Sequence, residues 1–265
     1  MPTSAQPHQH RQFAESFGVD AARYDRTRPR YPDALVRRIA AAGPDILDVG
    51  TGTGIVARQL RTAGATVLGV EPDERMAAFA RDTGVPVEVT TFEAWDPGGR
   101  TFDAVVAGQT WHWVDPVAGA AKAAEVLRPG GRIVLFWHVF QVAPALAEAS
   151  AAVLRRVAPE LPFDPRALAR PAAAYEPMLG PVVDALRRAG FGEPERWDAD
   201  EQRTYTKDEW LDQIPTQGML TRLPADAVAE VIAEAGTAID TLGGAAPVSS
   251  ITVALAATAP AGIRR

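Results

Sequence analysis

The sequence contains no cysteine and only four histidines. The absence of cysteine excludes disulfide bonds, thiolate nucleophiles, iron–sulfur clusters and thiol-rich zinc sites. No apolar run reaches the roughly 18 residues of a membrane span, and the opening segment, residues 1–10, is polar and unlike a signal peptide. We therefore expect a cytoplasmic protein that is not secreted and does not cross a membrane.

An excess of basic charge is also missing, because 27 Lys and Arg residues stand against 33 Asp and Glu residues and give a net charge of −6. Proteins that bind a nucleic-acid backbone usually carry a basic patch, and this sequence shows none. A length of 265 residues with 47% hydrophobic residues suits one α/β domain with insertions. We expect a small-molecule substrate, neither a nucleic-acid nor a membrane partner, and a monomer or homodimer.

A glycine-rich turn is the most informative feature that is present. Ile46–Val49 forms a short apolar run, Gly50, Gly52 and Gly54 follow, and a helical pattern begins at Ile55. Glycines allow a sharp turn with bare backbone beside a ligand. Glu71 ends the next apolar run, where a carboxylate can accept hydrogen bonds from a ribose diol. The pattern predicts a site for a nucleoside-containing cofactor.

The spacing of the glycines disfavours a dinucleotide. The pattern G-x-G-x-x-G, if it began at Gly50, would need glycine at position 55, where this chain has Ile55. Asp48 adds negative charge where a diphosphate would need donors, so it suits a cationic ligand better.

Several motifs of this chain resemble those of the class I S-adenosylmethionine-dependent methyltransferases, and they follow in that family's order. They are Ile46–Gly54, Leu68–Asp73, Thr90–Glu93, Phe102–Gln109 and Val126–Phe136. The N-terminal segment and Gln109–Trp113 lean towards the small-molecule, trans-aconitate-methyltransferase-like (type 11) group. The resemblance implies S-adenosylmethionine as cofactor, S-adenosylhomocysteine as product, and a Rossmann-like seven-stranded, mostly parallel sheet.

The order of the elements supports this α/β fold class. Strands are predicted at 46–49, 66–70, 85–89, 102–107 and 131–137, with helices at 33–42, 54–63, 73–82 and 116–127. The predicted organisation is a lid segment at 1–32, a cofactor-binding core at 33–138, helical cap insertions at 139–190 and 200–245, and last strands within 191–199 and 246–259. The cap helices are expected at about 139–176 and 207–243.

The resemblance also implies the residues that contact the cofactor. Glu71 would bind both ribose hydroxyls, and Asp48 would reach the ammonium group directly or through water. Thr91 stands where many relatives have aspartate, which puts the usual contact to the adenine amine in doubt. The predicted cofactor contacts are Asp48, Gly50, Thr51, Gly52, Glu71, Pro72, Met76, Thr91, Phe92, Gln109, Tyr24 and Arg28.

Histidine and tryptophan follow the fourth and fifth strands, where ligands bind in parallel sheets. His112 or His138 is a candidate general base, although each has an alternative role in contacting cofactor or orienting a loop. Trp111, Trp113 and Trp137 are candidates for a substrate enclosure or for core packing. With Asp115 as the nearest carboxylate, the two histidines fall short of a metal site, so no metal is expected.

The segment Ala22–Pro32 mixes tyrosine and arginine. A nucleic-acid arm is disfavoured by Asp20 and Asp25, and relatives with a similar Y-D-x-x-R-P-x-Y-P sequence fold this segment over the cofactor. Tyr24 and Tyr31 then resemble lid or pocket residues, with Tyr31 on the substrate side, and Arg28 would pair with the methionine carboxylate. Packing of a surface helix is the alternative.

The sequence thus predicts methyl transfer to a small molecule, with O-methylation of an organic acid or natural product as the favoured form. Cationic anchors for a carboxylate are available in the cap at Arg155, Arg156, Arg166 and Arg170. Two alternatives remain open: an NAD(P)-dependent oxidoreductase, and a protein that binds S-adenosylmethionine without catalysis.

Overall fold

The computed structural model describes residues 16–159, 171–218 and 220–261, with the backbone alone for 171–177. The strands are β1 (Asp45–Val49), β2 (Thr66–Glu71), β3 (Val87–Val89), β4 (Phe102–Gly108), β5 (Leu127–Val142), β6 (Glu195–Thr206) and β7 (Ala245–Thr258). The helices are α1 (Ala21–Thr27), α2 (Asp33–Ala40), α3 (Ile55–Thr62), α4 (Glu74–Asp82), α5 (Pro116–Val126), α6 (Pro144–Val157), α7 (Pro171–Arg188), α8 (Lys207–Gln213) and α9 (Ala225–Thr241).

The seven strands form one sheet in the order β3-β2-β1-β4-β5-β7-β6. β1 pairs in parallel with β2 on one side and with β4 on the other, with Ile46 opposite Val67 and Ala104. The chain order therefore reverses beside β1. In open parallel sheets such a switch point leaves a crevice at the carboxyl ends of the strands, where ligands bind.

The predicted fold class, a seven-stranded mostly parallel sheet with helices, is confirmed. The prediction was wrong in detail for two strands. Residues 139–142 continue β5 instead of opening a helix, because Val139, Phe140 and Val142 extend the apolar run. β6 extends to Thr206, beyond the predicted range 191–199; its polar sequence gave no signal, since Trp197 and Tyr205 are its only buried side chains.

The chain divides into two compact units. Among the described residues, the first, which we call the core unit, contains 29–138, 177–199 and 252–261; the second, the cap unit, contains 16–28, 139–159, 171–176, 200–218 and 220–251. Of the predicted cap insertions, the described residues 139–159, 171–176, 200–218 and 220–245 fall in the cap unit, whereas 177–190 fall in the core unit. Apolar residues of α7, such as Leu186, are fully buried there.

The cap unit has a hydrophobic core of its own. Helix α6 packs against α9, and Leu146, Trp210 and Ile239 are among the side chains buried in this cluster. Burial of a large apolar side chain stabilises a fold by roughly 1.5–3 kcal/mol. Within the part of the chain that the structure describes, every helix is too short or too polar to cross a membrane.

Candidate functional site

The glycine-rich turn after β1 lies where three elements of the core unit meet. Gly50, Gly52 and Gly54 all have positive φ angles, of 64°, 58° and 86°. The Gly50 amide donates to the Val70 carbonyl of β2 at 2.7 Å. A Cβ at Gly50 would lie 2.0 Å from Cγ2 of Thr110, in the loop after β4. Only glycine fits there, both in conformation and in space.

We expect Gly50→Ala to destabilise the protein far more than Gly98→Ala. Gly98 has a similar φ of 55° but nothing within 4 Å of an added Cβ, so its substitution costs the backbone strain alone, about 1–2 kcal/mol. Gly50→Ala adds a steric overlap that should cost roughly 1–3 kcal/mol more in the free energy of unfolding. Urea denaturation of the two variants measures the difference.

The second substitution Thr110→Ala removes two of the three atoms closest to the added Cβ. In the Gly50→Ala background it should recover part of the lost stability. Equal losses for Gly50→Ala and Gly98→Ala would show that the turn has room for a side chain.

Two buried carboxylates flank the turn. Asp48, in β1, is 1% exposed, and its Oδ2 has no hydrogen-bond partner among the described residues. Glu71, at the end of β2, is 8% exposed and accepts from the amides of Gly52 at 2.8 Å and Asp73 at 2.9 Å. Desolvation by burial, with a smaller effect of the Glu71 charge, raises the pKa of Asp48 to about 8. Desolvation likewise raises the pKa of Glu71 to about 7, although both amide hydrogen bonds oppose it.

These pKa values predict a loss of stability as pH rises. In the unfolded chain both groups lose their protons near pH 4, but the folded protein holds them up to pH 7–8. Folded protein therefore binds more protons, and the contribution of these two groups to the free energy of unfolding should fall from about pH 4 to pH 8, including the interval from pH 6.5 to 8. The slope is at most about 1.4 kcal/mol per pH unit for each proton. Urea denaturation of the unliganded protein at several pH values measures it.

The pH window and one variant separate this effect from others. His112 has a lowered pKa, so it acts in the opposite direction, but only below about pH 6.5, the ordinary pKa of histidine. Asp48→Asn should flatten the fall between pH 6.5 and 8. An equal slope in the wild type and the variant would show that Asp48 does not titrate in this range.

An open face lies beside Gly52. A Cβ built there meets only Met76 Cε, at 3.8 Å. Thr51, Met76 and Phe92 are buried, Thr91 is partly exposed and Pro72 is exposed. Thr51 Oγ1 donates to the Asp48 carbonyl at 2.7 Å. These predicted cofactor residues of the core unit therefore lie in the segments that follow the carboxyl ends of β1, β2 and β3.

Gln109 has the only positive φ angle, 58°, among the described residues other than glycine. Its amide donates to the Phe136 carbonyl at 2.8 Å, and its side-chain Nε2 donates to the His138 carbonyl at 3.1 Å. Strained backbone of this kind is concentrated at functional sites. Gln109 thereby joins the loop after β4 to the β5 backbone at His138.

His112 is held as a neutral, weakly basic ring. It is 8% exposed, and desolvation lowers its pKa to about 3. Its Nδ1 accepts from the indole Nε1 of Trp137 at 3.3 Å. A neutral imidazole whose Nδ1 accepts carries its proton on Nε2. In this arrangement neither ring nitrogen offers a free lone pair to a substrate.

His138 has a different environment in the core unit. Its ring stacks on Tyr31 with centroids 4.3 Å apart and an interplanar angle of 7°, and its Nδ1 lies 2.9 Å from Thr252 Oγ1. Gln59 fixes Tyr31 by hydrogen bonds to both its backbone amide and its carbonyl. If Nδ1 donates to Thr252, Nε2 is the basic nitrogen. Gln59, Thr110 and Thr252 carried no sequence signal, because each acts through a tertiary contact.

The three tryptophans differ in exposure. Trp111 and Trp137 are 1% and 0% exposed and belong to the buried core, while Trp113 is partly exposed and lies 4.7 Å from the His112 ring. The indole nitrogen of Trp111 has no partner among the described residues. Among those residues, no cluster of three or more histidine or carboxylate groups can hold a metal ion.

The remaining predicted residues belong to the cap unit. Arg28 donates from Nη2 to the Thr216 carbonyl and lies over the Tyr24 ring, 4.6 Å from its centroid. Arg155 donates to the Ala151 carbonyl of its own helix, and Arg156 pairs with Glu230 and Glu234. Both side chains face solvent. Arg166 and Arg170 lie outside the described residues.

Comparison with known proteins gives a family for this arrangement. Residues 47–135 match the family model of a methyltransferase domain. A demethylmenaquinone methyltransferase of Tropheryma whipplei is 32% identical over 190 residues, which cover 65% of this chain and 77% of the relative. A trans-aconitate 2-methyltransferase of Mycolicibacterium gilvum is 34% identical over 60% of this chain and 66% of the relative.

Other matches are shorter or structural. An uncharacterized methyltransferase of Mycobacterium tuberculosis is 38% identical over 132 residues, 48% of this chain, so the match spans about half (54%) of that relative. A solved structure from Anaeromyxobacter dehalogenans, provisionally assigned as a type II methyltransferase, superposes with a TM-score of 0.64. At 24% identity over 89% of this chain and 99% of the other, it supports the fold.

Proposed function

Because the chain belongs to the class I S-adenosylmethionine-dependent methyltransferases, we propose that it transfers a methyl group from S-adenosylmethionine to a small-molecule acceptor. The observation that carries the proposal is the pair of buried carboxylates, Asp48 and Glu71, around a turn with an open face at Gly52. Cationic groups and hydroxyl donors are what such carboxylates bind, whereas a diphosphate would be repelled.

The residues present fit the cofactor. Glu71 would accept from the two ribose hydroxyls, and the unpartnered Asp48 Oδ2 would accept from the ammonium group, directly or through a water molecule. Met76 and Phe92 would pack on the adenine, with Thr91 and Pro72 beside it. Gly50, Thr51, Gly52 and Gln109 would surround the methionine portion. Tyr24 and Arg28 remain further candidates for contacts to the cofactor.

The bound cofactor supplies an electrophilic methyl group on a positively charged sulfonium. The protein's part is to align the acceptor with it, which can account for much of the fall in the barrier. Where the acceptor has a proton to lose, His138 takes it through Nε2, while Thr252 accepts from Nδ1. Tyr31 holds the imidazole in place, and the neighbouring tryptophans exclude water.

For the acceptor we propose an organic acid or a related natural product, methylated on oxygen. The resemblance in Gln109–Trp113 and in the N-terminal segment supports this class. So does the identity to the trans-aconitate 2-methyltransferase.

Calorimetric titration tests the proposal. The protein should bind S-adenosylmethionine and S-adenosylhomocysteine saturably, and NAD and NADP not at all. Binding of a dinucleotide alone would favour an oxidoreductase. Binding of the sulfur nucleosides without methyl transfer in a screen of carboxylic, phenolic and amine acceptors would instead favour a non-catalytic binding protein.

A further inference from the structure

A cavity of about 130 Å³ lies within the cap unit, between α6, α8, α9 and the last residues of β5. Its wall is largely apolar and includes Phe140, Val142, Leu146, Leu154, Trp210 and Val231. Four polar side chains complete the lining: Arg28, Ser150, Gln213 and Gln217. An engineered cavity of about 150 Å³ with similar walls binds benzene, so this one suits a ring or about six carbon atoms.

Two of the polar side chains have buried atoms without partners. Arg28 Nε and Gln213 Oε1 are both buried and make no hydrogen bond within the described part of the chain. Gln213 is 1% exposed, and no carboxylate among the described residues pairs with Arg28. A buried donor or acceptor left unpaired destabilises the protein, so a ligand that pairs with both atoms is bound more tightly.

Arg28 and Gln213 are linked through Thr216. The Arg28 guanidinium donates to the carbonyl of Thr216, and the hydroxyl of Thr216 donates to the carbonyl of Gln213 at 2.7 Å. The two groups complement each other chemically, because a guanidinium binds an anion and an amide oxygen accepts from a hydroxyl or amine.

We infer that this cavity is a binding site for a small amphipathic acid. Its carboxylate pairs with Arg28, an adjacent hydroxyl or amine donates to Gln213 Oε1, and an apolar body of about six carbons fills the remainder. A polycarboxylate fits poorly, because the wall offers one cation and mostly hydrocarbon.

This assignment gives Arg28 a role different from pairing with the methionine carboxylate. It also differs from an anchor at Arg155 or Arg156, whose side chains face solvent and do not line the cavity. The two roles of Arg28 can be separated experimentally. If Arg28 pairs with the methionine carboxylate, its replacement lowers the affinity for S-adenosylmethionine; if it pairs with the acid, its replacement lowers only the affinity for the acid.

Mandelate, phenylacetate and the neutral amide mandelamide are suitable probes for the full chain. Mandelate should bind about 10-fold tighter than mandelamide or more, because the charged hydrogen bond is lost in the amide, and about 2- to 10-fold tighter than phenylacetate, which lacks the hydroxyl. Calorimetry measures each affinity. Mandelate should also change the tryptophan fluorescence, and Trp210→Phe should remove that change while the binding heat persists.

Variants of Arg28 and Gln213 test where the carboxylate and the hydroxyl of mandelate bind. Arg28→Met should abolish the preference for mandelate over mandelamide, and Gln213→Leu should abolish the preference for mandelate over phenylacetate. Arg26→Met is the matched control, since Arg26 is exposed at the end of the same helix and pairs with Asp212. Ser150→Leu should block the cavity without touching the head group, which provides a test should Arg28→Met fail to fold.

Several results would overturn the inference. They are equal binding of mandelate and mandelamide, a preference that persists in Arg28→Met, and no binding of any probe at millimolar concentration in a protein that binds S-adenosylmethionine. That last result leaves the proposed function intact. Mandelate binding without S-adenosylmethionine binding would instead refute the proposed function and support the inference.

Discussion

His138→Asn should lower the rate of methyl transfer by about 10²- to 10⁴-fold, the usual contribution of a general base. Asparagine keeps a donor near Thr252 Oγ1, which lies 2.9 Å from His138 Nδ1, but removes the basic Nε2. The affinity for S-adenosylmethionine should stay within about two-fold of wild type, since the Gln109 contact is to the backbone carbonyl of His138. Initial rates of S-adenosylhomocysteine formation with an acceptor found in the screen measure the change.

His112→Asn is the matched control. His112 has a pKa of about 3, and its Nδ1 is engaged by Trp137, so it makes a poor base. Its substitution should affect turnover much less than that of His138. Thr252→Val should lower turnover without changing cofactor affinity, since it removes the group that orients the imidazole. Equal losses in turnover and in affinity for His138→Asn would instead assign His138 to cofactor binding.

Glu71→Ala should weaken S-adenosylmethionine binding by about 10- to 150-fold or more. Hydrogen bonds to a charged group contribute about 1.5–3 kcal/mol, and the truncation also leaves the amides of Gly52 and Asp73 without their acceptor. Glu71→Gln should cause a smaller loss, because the amide oxygen still accepts one hydrogen bond. Calorimetric titration of the folded variants measures both.

Glu74→Ala controls for a general effect of removing a carboxylate. Glu74 lies three residues away in the first turn of α4, with a side chain 68% exposed and paired with Arg81. Its removal should leave the affinity unchanged. The same affinity in Glu71→Ala as in Glu74→Ala would mean that Glu71 does not bind the ribose.

The arrangement at the centre of the candidate site could be predicted from sequence because its signals are local. A buried strand, a run of glycines and a carboxylate at the end of the next strand occur in fixed order, and each residue type has a conformational or electrostatic reason for its place. The structure brings Asp48, Glu71 and the Gly50 turn together as that order implies.

Other parts of the site follow from tertiary contacts that leave no local pattern. Nothing in the sequence distinguishes three polar residues, Thr110, Gln59 and Thr252. The fold brings them into contact with Gly50, Tyr31 and His138, respectively. The cavity in the cap unit could not be predicted from the sequence either, because its polar lining comes from elements far apart in the chain. The sequence pointed to arginines on an amphipathic helix, where long side chains usually stay in solvent.

The protonated carboxylates at Asp48 and Glu71 make cofactor exchange a proton-coupled event. Binding of a cation with hydroxyl donors favours their ionised forms, so at neutral pH the protein should release protons to the buffer as it takes up S-adenosylmethionine. Methyl transfer removes the sulfonium charge, and part of this electrostatic attraction disappears with it. Proton uptake would then favour release of S-adenosylhomocysteine. The rate at which S-adenosylmethionine replaces it would therefore depend on pH. Binding heats that did not vary with the ionisation enthalpy of the buffer would argue against this coupling.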